Sequence, residues 1–159
     1  MPLIDALRLD LTFADERLKL PEARPAEVLA RMAALGKRDR LLVELAYARR
    51  MSTREIARIL EQPAGTIHRR LNRICVRLRD PIVPALLARD CALTPDYRQI
   101  ALEYFAQGRL LNDIADDHHV SKNHIREVVQ FVRGWYRGIH LATRALREIT
   151  NDQTRMANE

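Results

Sequence analysis

Five arginines and no acid fall between Pro63 and Arg79. A guanidinium is a planar fork of N–H donors that stays charged at any working pH. It pairs with a phosphate, or bidentately with the O6/N7 edge of guanine. Arg69, Arg70, Arg73, Arg77 and Arg79 supply this chemistry at helical spacing, with Thr66, His68 and Asn72 among them. The asparagine amide is another group that reads base edges. No Gly-rich phosphate loop accompanies them, and no serine or cysteine sits in a nucleophile motif with a paired base. The residues therefore suit recognition of an anionic lattice, not bond breaking, and no enzymatic activity is expected.

Presenting that set requires a helix held from behind. Ser52 with Glu55 three residues on has the pattern of a capping box, and Ile56, Ala57 and Leu60 follow as a short apolar face. Glu61-Gln62-Pro63 interrupts the pattern, and Pro63 fits the first turn of a new helix. Ile67, Leu71, Ile74 and Leu78 then recur at steps of four, three and four, one stripe of a helix. The opposite face carries Arg69, Asn72 and Arg73, with Arg70, Arg77 and Arg79 around it. Ala57 is small where the two helices approach most closely. Residues 52–79 thus predict a helix-turn-helix whose second helix has the width of the DNA major groove and whose N-terminus offers N–H groups to phosphate.

At these residues the sequence resembles region 4 of bacterial sigma factors, especially the extracytoplasmic-function type. The likeness runs from about Leu35 to Arg79: the upstream RDRLLVELAYARR, the EIARIL of the first motif helix, and PAGTIHRRLNRICVRLR. In that family the domain binds the promoter −35 element through its second helix and docks on the RNA polymerase β flap. The resemblance implies that Thr66, His68, Arg69, Asn72 and Arg73 face DNA. The family often has glycine where Arg50 and Glu61 stand. Sigma factors also carry an upstream domain that melts the −10 element. With 34 residues before Leu35, the expectation is a region 4-like unit without that domain.

The chain repeats itself at an offset of 58. Glu55 pairs with Asp113, Ile56 with Ile114, Ala57 with Ala115, Ile67 with Ile125, Leu71 with Val129 and Ile74 with Val132, while Tyr47 falls on Phe105 and Arg50 on Gly108. This predicts a second helix-turn-helix: a helix over Leu110–Asp117, a turn at His118-His119-Val120, and Ser121 capping a helix over Lys122–Tyr136. Ile139 to Ile149 then either extends that helix or begins another, since Gly134 and Gly138 weaken continuity. The copies differ in charge. Gly36 to Arg79 holds 12 Lys/Arg against four Asp/Glu, whereas Asp90 to His140 holds six against seven. The first unit is therefore favoured by phosphate. The second presents Asn123, Arg126, Glu127, Gln130 and Phe131, with Lys122, His124 and Arg133 nearby. It reads either as an auxiliary DNA reader, through Lys122, Asn123, His124, Arg126 and Gln130, or as a protein surface, including one for another copy of itself.

Composition fits this reading. The 159-residue chain is 47% hydrophobic with few aromatics and glycines, and good helix formers dominate. The fold class expected is all-α, two tandem helix-turn-helix units with the first resembling sigma region 4. The organisation expected is an N-terminal helical segment (1–34), the first unit (35–80), a connector (81–95), the second unit (96–149) and a flexible tail (150–159). Within it, helices are expected over Leu3–Leu20, Pro25–Leu35 and Ile82–Ala88, and Thr94 caps another. No apolar run approaches the ~20 residues that span a bilayer, and no secretory signal opens the chain, so a cytoplasmic location is the default. Cys75 and Cys91 do not make a disulfide scaffold, and Cys75 reads as a packed residue. His118, His119 and His124 cluster with Asp113, Asp116 and Asp117, but a turn separates them and the spacing is wrong for a zinc site. No cofactor or metal is expected. The function expected is a sequence-specific double-stranded DNA-binding transcription regulator, with RNA polymerase and a homodimer partner as further candidates. The alternatives are a protein-interaction module that binds polymerase or a sigma regulator, and a DNA-binding accessory of a recombination or packaging system.

Overall fold

The computed structural model describes Leu20 and residues 24–156 of the chain, with side chains through Leu146 and at Glu148. The helix expected over Leu3–Leu20 lies outside them, apart from its last residue. The described residues form α1 (Pro25–Ala33), α2 (Lys37–Val43), a π turn (Glu44–Ala48), α3 (Thr53–Ile59), α4 (Ala64–Arg79), α5 (Ile82–Leu87), α6 (Pro95–Phe105), α7 (Leu111–Asp117) and α8 (Lys122–Met156), with no strand among them. The fold is all-α, with two helix-turn-helix motifs in tandem, α3–α4 and α7–α8.

The first motif is built as its residues dictate. Ser52 Oγ accepts from the Glu55 N–H at 3.3 Å, and the Glu55 carboxylate accepts from the Ser52 N–H at 2.7 Å, a complete capping box. That backbone bond, with the Ser52 hydroxyl, holds the Glu55 carboxyl below its ordinary pKa. Ile56 and Ala57 are buried against α4. Pro63 sits just before α4 as its N-cap, one position earlier than expected. The α4 stripe Ile67, Leu71, Ile74, Cys75 and Leu78 is almost wholly buried. Val28, Met32 and Leu35 join the same cluster, so α1 forms part of this core. Two arginines tie the frame by covering exposed helix carbonyls: Arg31 donates to the Leu78 carbonyl at 2.8 Å, and Arg40 to those of Ala33 and Leu35. The Cys75 thiol lies 3.0 Å from the Tyr47 hydroxyl, and burial pushes the pKa of both groups up. This cysteine is a neutral core residue.

The chain then repeats its own geometry. The starts of α2, α3 and α4 (Lys37, Thr53, Ala64) are each followed 58 residues on by the starts of α6, α7 and α8 (Pro95, Leu111, Lys122). The left-handed residues obey the same offset: Arg50 (φ 53°) with Gly108 (φ 68°), and Glu61 (φ 51°) with His119 (φ 53°). So do the bonds that close the helix-turn-helix turns, Gln62 N–H to the Ala57 carbonyl (2.9 Å) and Val120 N–H to the Ala115 carbonyl (3.0 Å). Ser121 caps α8 as expected, its Oγ accepting from the His124 N–H at 3.1 Å.

Packing divides the chain after Leu110: α6 packs on α5, and Arg98 reaches back to the Leu86 carbonyl at 2.6 Å. Of the two courses open past Tyr136, an extended helix or a new one, the backbone takes the first, and α8 runs on through Gly134 and Gly138 to Met156.

Arg50 and Glu61 occupy left-handed positions where a side chain costs about 1–2 kcal/mol. Glycine removes that strain but adds freedom to the unfolded chain. Because Glu61 is exposed and loses no packing, Glu61→Gly should raise stability by roughly 0.5 kcal/mol. The check is the urea midpoint at unchanged m-value; a fall of similar size would mean that the left-handed turn is not the native one.

Candidate nucleic-acid interface

With its apolar stripe buried, α4 turns the opposite side to solvent. Arg69, Arg73 and Val76 are exposed there, one turn after another, below the exposed Gly65. A Cβ added at Gly65 would meet nothing within 4 Å, so this end of the helix is open to close approach. Thr66 is half-buried, and the Arg69 guanidinium donates to its hydroxyl at 3.4 Å. His68 and Asn72, also half-buried, lie one helical step to the other flank.

The flank toward α2 is different in kind. Asp39, at the start of α2, accepts from Arg70 Nε at 2.9 Å and Nη2 at 2.8 Å, and its other oxygen accepts from Arg77 Nη2 at 2.5 Å. Arg77 Nη1 donates to the Gln107 carbonyl at 2.6 Å. The Asp39 side chain is only 15% exposed, so this is a partly desolvated ion cluster that clamps α4 to α2 and to the turn after α6. Thr66, Arg69, Arg70, Arg73 and Arg77, with Asp39, Gln107 and Gly108, line a concavity of about 490 Å³. Four guanidiniums face one carboxylate there, an excess of positive charge suited to phosphate.

This geometry separates the residues that sequence pattern had grouped. Arg69 and Arg73 remain presented outward. Arg70 and Arg77, which the sequence sets around that face, pair with Asp39; the 100° helical step puts both on the flank that meets α2. Asp39, Gln107 and Gly108 were missed. A single acid inside Lys37-Arg38-Asp39-Arg40 was the one available signal, and its partners lie 31 and 38 residues away. Gly108 has a specific reason to be glycine. Besides its positive φ, a Cβ there would fall 1.7 Å from Arg77 Nη1. Gly108→Ala should therefore displace the Arg77 guanidinium and cost about 2 kcal/mol, combining left-handed strain with a lost charge-assisted hydrogen bond. Thermal unfolding checks this beside Gly65→Ala, whose Cβ has room; equal stability of the two variants would remove the clamp from the account.

In the second motif Lys122, Asn123, Arg126 and Gln130 are exposed and His124 is half-buried. Arg126 Nη1 donates to Asn123 Oδ1 at 2.9 Å. By the offset of 58, Glu127 stands where Arg69 does and Phe131 where Arg73 does, and Phe131 is 56% exposed. The two central positions that hold arginines in the first motif therefore hold an acid and an aromatic ring in the second. Among the described residues no three His, Cys, Asp or Glu side chains are placed to share a metal ion, and no helix is long and apolar enough to cross a membrane.

Residues 26–78 match the family model described as Sigma-70, region 4. This part of the chain, from the second residue of α1 to all but the last residue of α4, is a sigma region 4-like helix-turn-helix domain. No curated protein and no solved structure matches the chain.

Proposed function

We propose that the region 4-like domain reads double-stranded DNA in a sequence-specific way, and that the protein is a cytoplasmic transcription regulator. The observation that carries this reading is the presentation of Arg69 and Arg73 at the solvent-facing centre of α4, with the opposite stripe sealed in the core. The helix enters the major groove, where Arg69 and Arg73 donate to guanine edges or phosphates and Asn72 meets base edges from the flank. Thr66 and the open N-terminal turn around Gly65 approach the backbone phosphates. The clamp through Asp39 holds α4 rigid, so that a base contact is not loosened by motion of the helix that bears it. Selection of bound duplexes from a random pool tests the reading. A recurring motif carrying at least one guanine supports it, while recovery of unrelated sequences reduces the protein to a non-specific binder.

A second reading is favoured by one observation, the exposed Phe131 beside Glu127 at the positions of Arg73 and Arg69. Such a face suits a protein partner, an apolar pocket rimmed by cations, better than phosphate. RNA polymerase is the partner that a sigma-like domain suggests. Both readings hold together if α4 holds DNA while the second motif holds protein. Capture of polymerase by the intact chain and its loss in Phe131→Ala, with duplex binding unchanged, is the result that separates them.

A further inference from the structure

The first motif helix, α4, ends at Arg79. Its counterpart in the second motif continues well past the equivalent position, Arg137, to Met156. The extension has no equivalent in the first copy, so reading a helix-turn-helix does not explain it. Its residues fall in a heptad pattern. Val128, Val132, Trp135, Ile139, Ala142, Leu146 and Ile149 are spaced alternately by four and three residues over three heptads. Val128 and Val132 are buried, Trp135 is half-buried, and from Ile139, 43% exposed, the seam passes into solvent.

Most helical stability in proteins comes from packing of an apolar face, and the propensity of this helix is lowered at two positions. Gly134 and Gly138 cost about 1 kcal/mol each relative to alanine, and neither has a neighbour within 4 Å of its missing Cβ. A partner laid along the seam supplies packing to the exposed Ile139 and Leu146.

The flanks identify what fits. Along the exposed stretch the positions beside the seam are Tyr136, Gly138, Thr143 and Ala145, none of them charged. Arg133, Arg137 and Arg144 take register positions at the back, where Arg144 pairs with Glu148 at 3.0 Å. Charged flanks set partner choice in paired helices and keep identical helices apart when their signs clash. Here no like charges oppose one another when the segment meets itself. The narrow stripe, bordered by Thr143, Gly138 and Ala145, suits a coiled-coil seam rather than the broad apolar face of a helix lying on lipid.

We propose that the α8 extension is a homodimerisation arm, pairing with the same segment of a second copy around a two-fold axis along Ile139, Ala142 and Leu146. The pairing stands whether or not α4 reads DNA. If it does, each dimer carries two reading helices and binds two half-sites.

Light scattering on the full chain from low to high micromolar concentration tests the arm. The wild type should weigh twice the 18.4 kDa chain, Ile139→Arg should return it to a monomer, and Arg144→Ser, at the back, should remain a dimer. Circular dichroism with thermal unfolding of each variant reports whether the helix-turn-helix cores stay folded. Wild-type monomer across the whole range overturns the proposal, as does an Ile139→Arg variant as dimeric as the wild type. Equal loss of the dimer in Arg144→Ser overturns the assignment of the seam.

Discussion

Arg69→Ala and Arg73→Ala should each weaken binding to the selected duplex by about 1–3 kcal/mol, roughly 5- to 150-fold. Both guanidiniums are exposed and lie outside the buried stripe, so neither loss should lower folding stability by more than about 0.5 kcal/mol. The two stand one helical turn apart on the same face, so their effects couple and the double variant loses less than the sum. Salt titration sorts the roles. A residue that reads a guanine edge, once removed, relaxes sequence preference at one position with little change in slope. A residue on phosphate weakens all duplexes alike and lowers the salt slope by about 0.9. Full affinity in the double variant would remove α4 as the reading helix.

Asp39→Ala should have the next largest effect, and it acts in two directions. The carboxylate is the shared acceptor of Arg70 and Arg77, which are 34% and 21% exposed. Breaking a fully buried pair costs about 3–5 kcal/mol; with this much solvent screening about 2 kcal/mol of stability should be lost, read from urea unfolding. The same change releases two guanidiniums on the border of the proposed DNA face. Non-specific duplex affinity at low salt should rise, and the salt slope should steepen by up to roughly 2, one condensed counterion for each freed arginine. Asp39→Asn, which keeps an acceptor oxygen, should fall between the two. An Asp39→Ala variant with wild-type stability and slope would show the cluster to be idle.

Asp39 also marks where sequence reading ran out. Whatever depends on local periodicity was legible: the Ser52–Glu55 box, the Ile67–Leu78 stripe, and the turn from Asp117 to Ser121. The second motif could be read because its small and apolar positions are fixed by the same packing as the first, so they recur 58 residues on. Which of five arginines face inward was not legible, because the answer depends on where α2 lies beside α4, a tertiary fact carried by one aspartate. Nor was the division after Leu110, since it rests on Arg98 and Arg77 reaching carbonyls of distant turns. The length of α8 was obscured by Gly134 and Gly138, whose low helix propensity argues locally for a break. The left-handed turns show the reverse. The resemblance pointed to glycine at positions 50 and 61, and the backbone keeps that conformation even with Arg50 and Glu61 in place.

Amide chemical shifts of the isotopically labelled full chain, followed during titration with the selected duplex at low salt, test the central claim most directly. The account predicts that the largest changes fall on Gly65, Thr66, Arg69, Asn72 and Arg73, with the buried stripe from Ile67 to Leu78 little moved. Tight binding with those amides unshifted, and the changes gathered on α7 and the first turns of α8 instead, would contradict it.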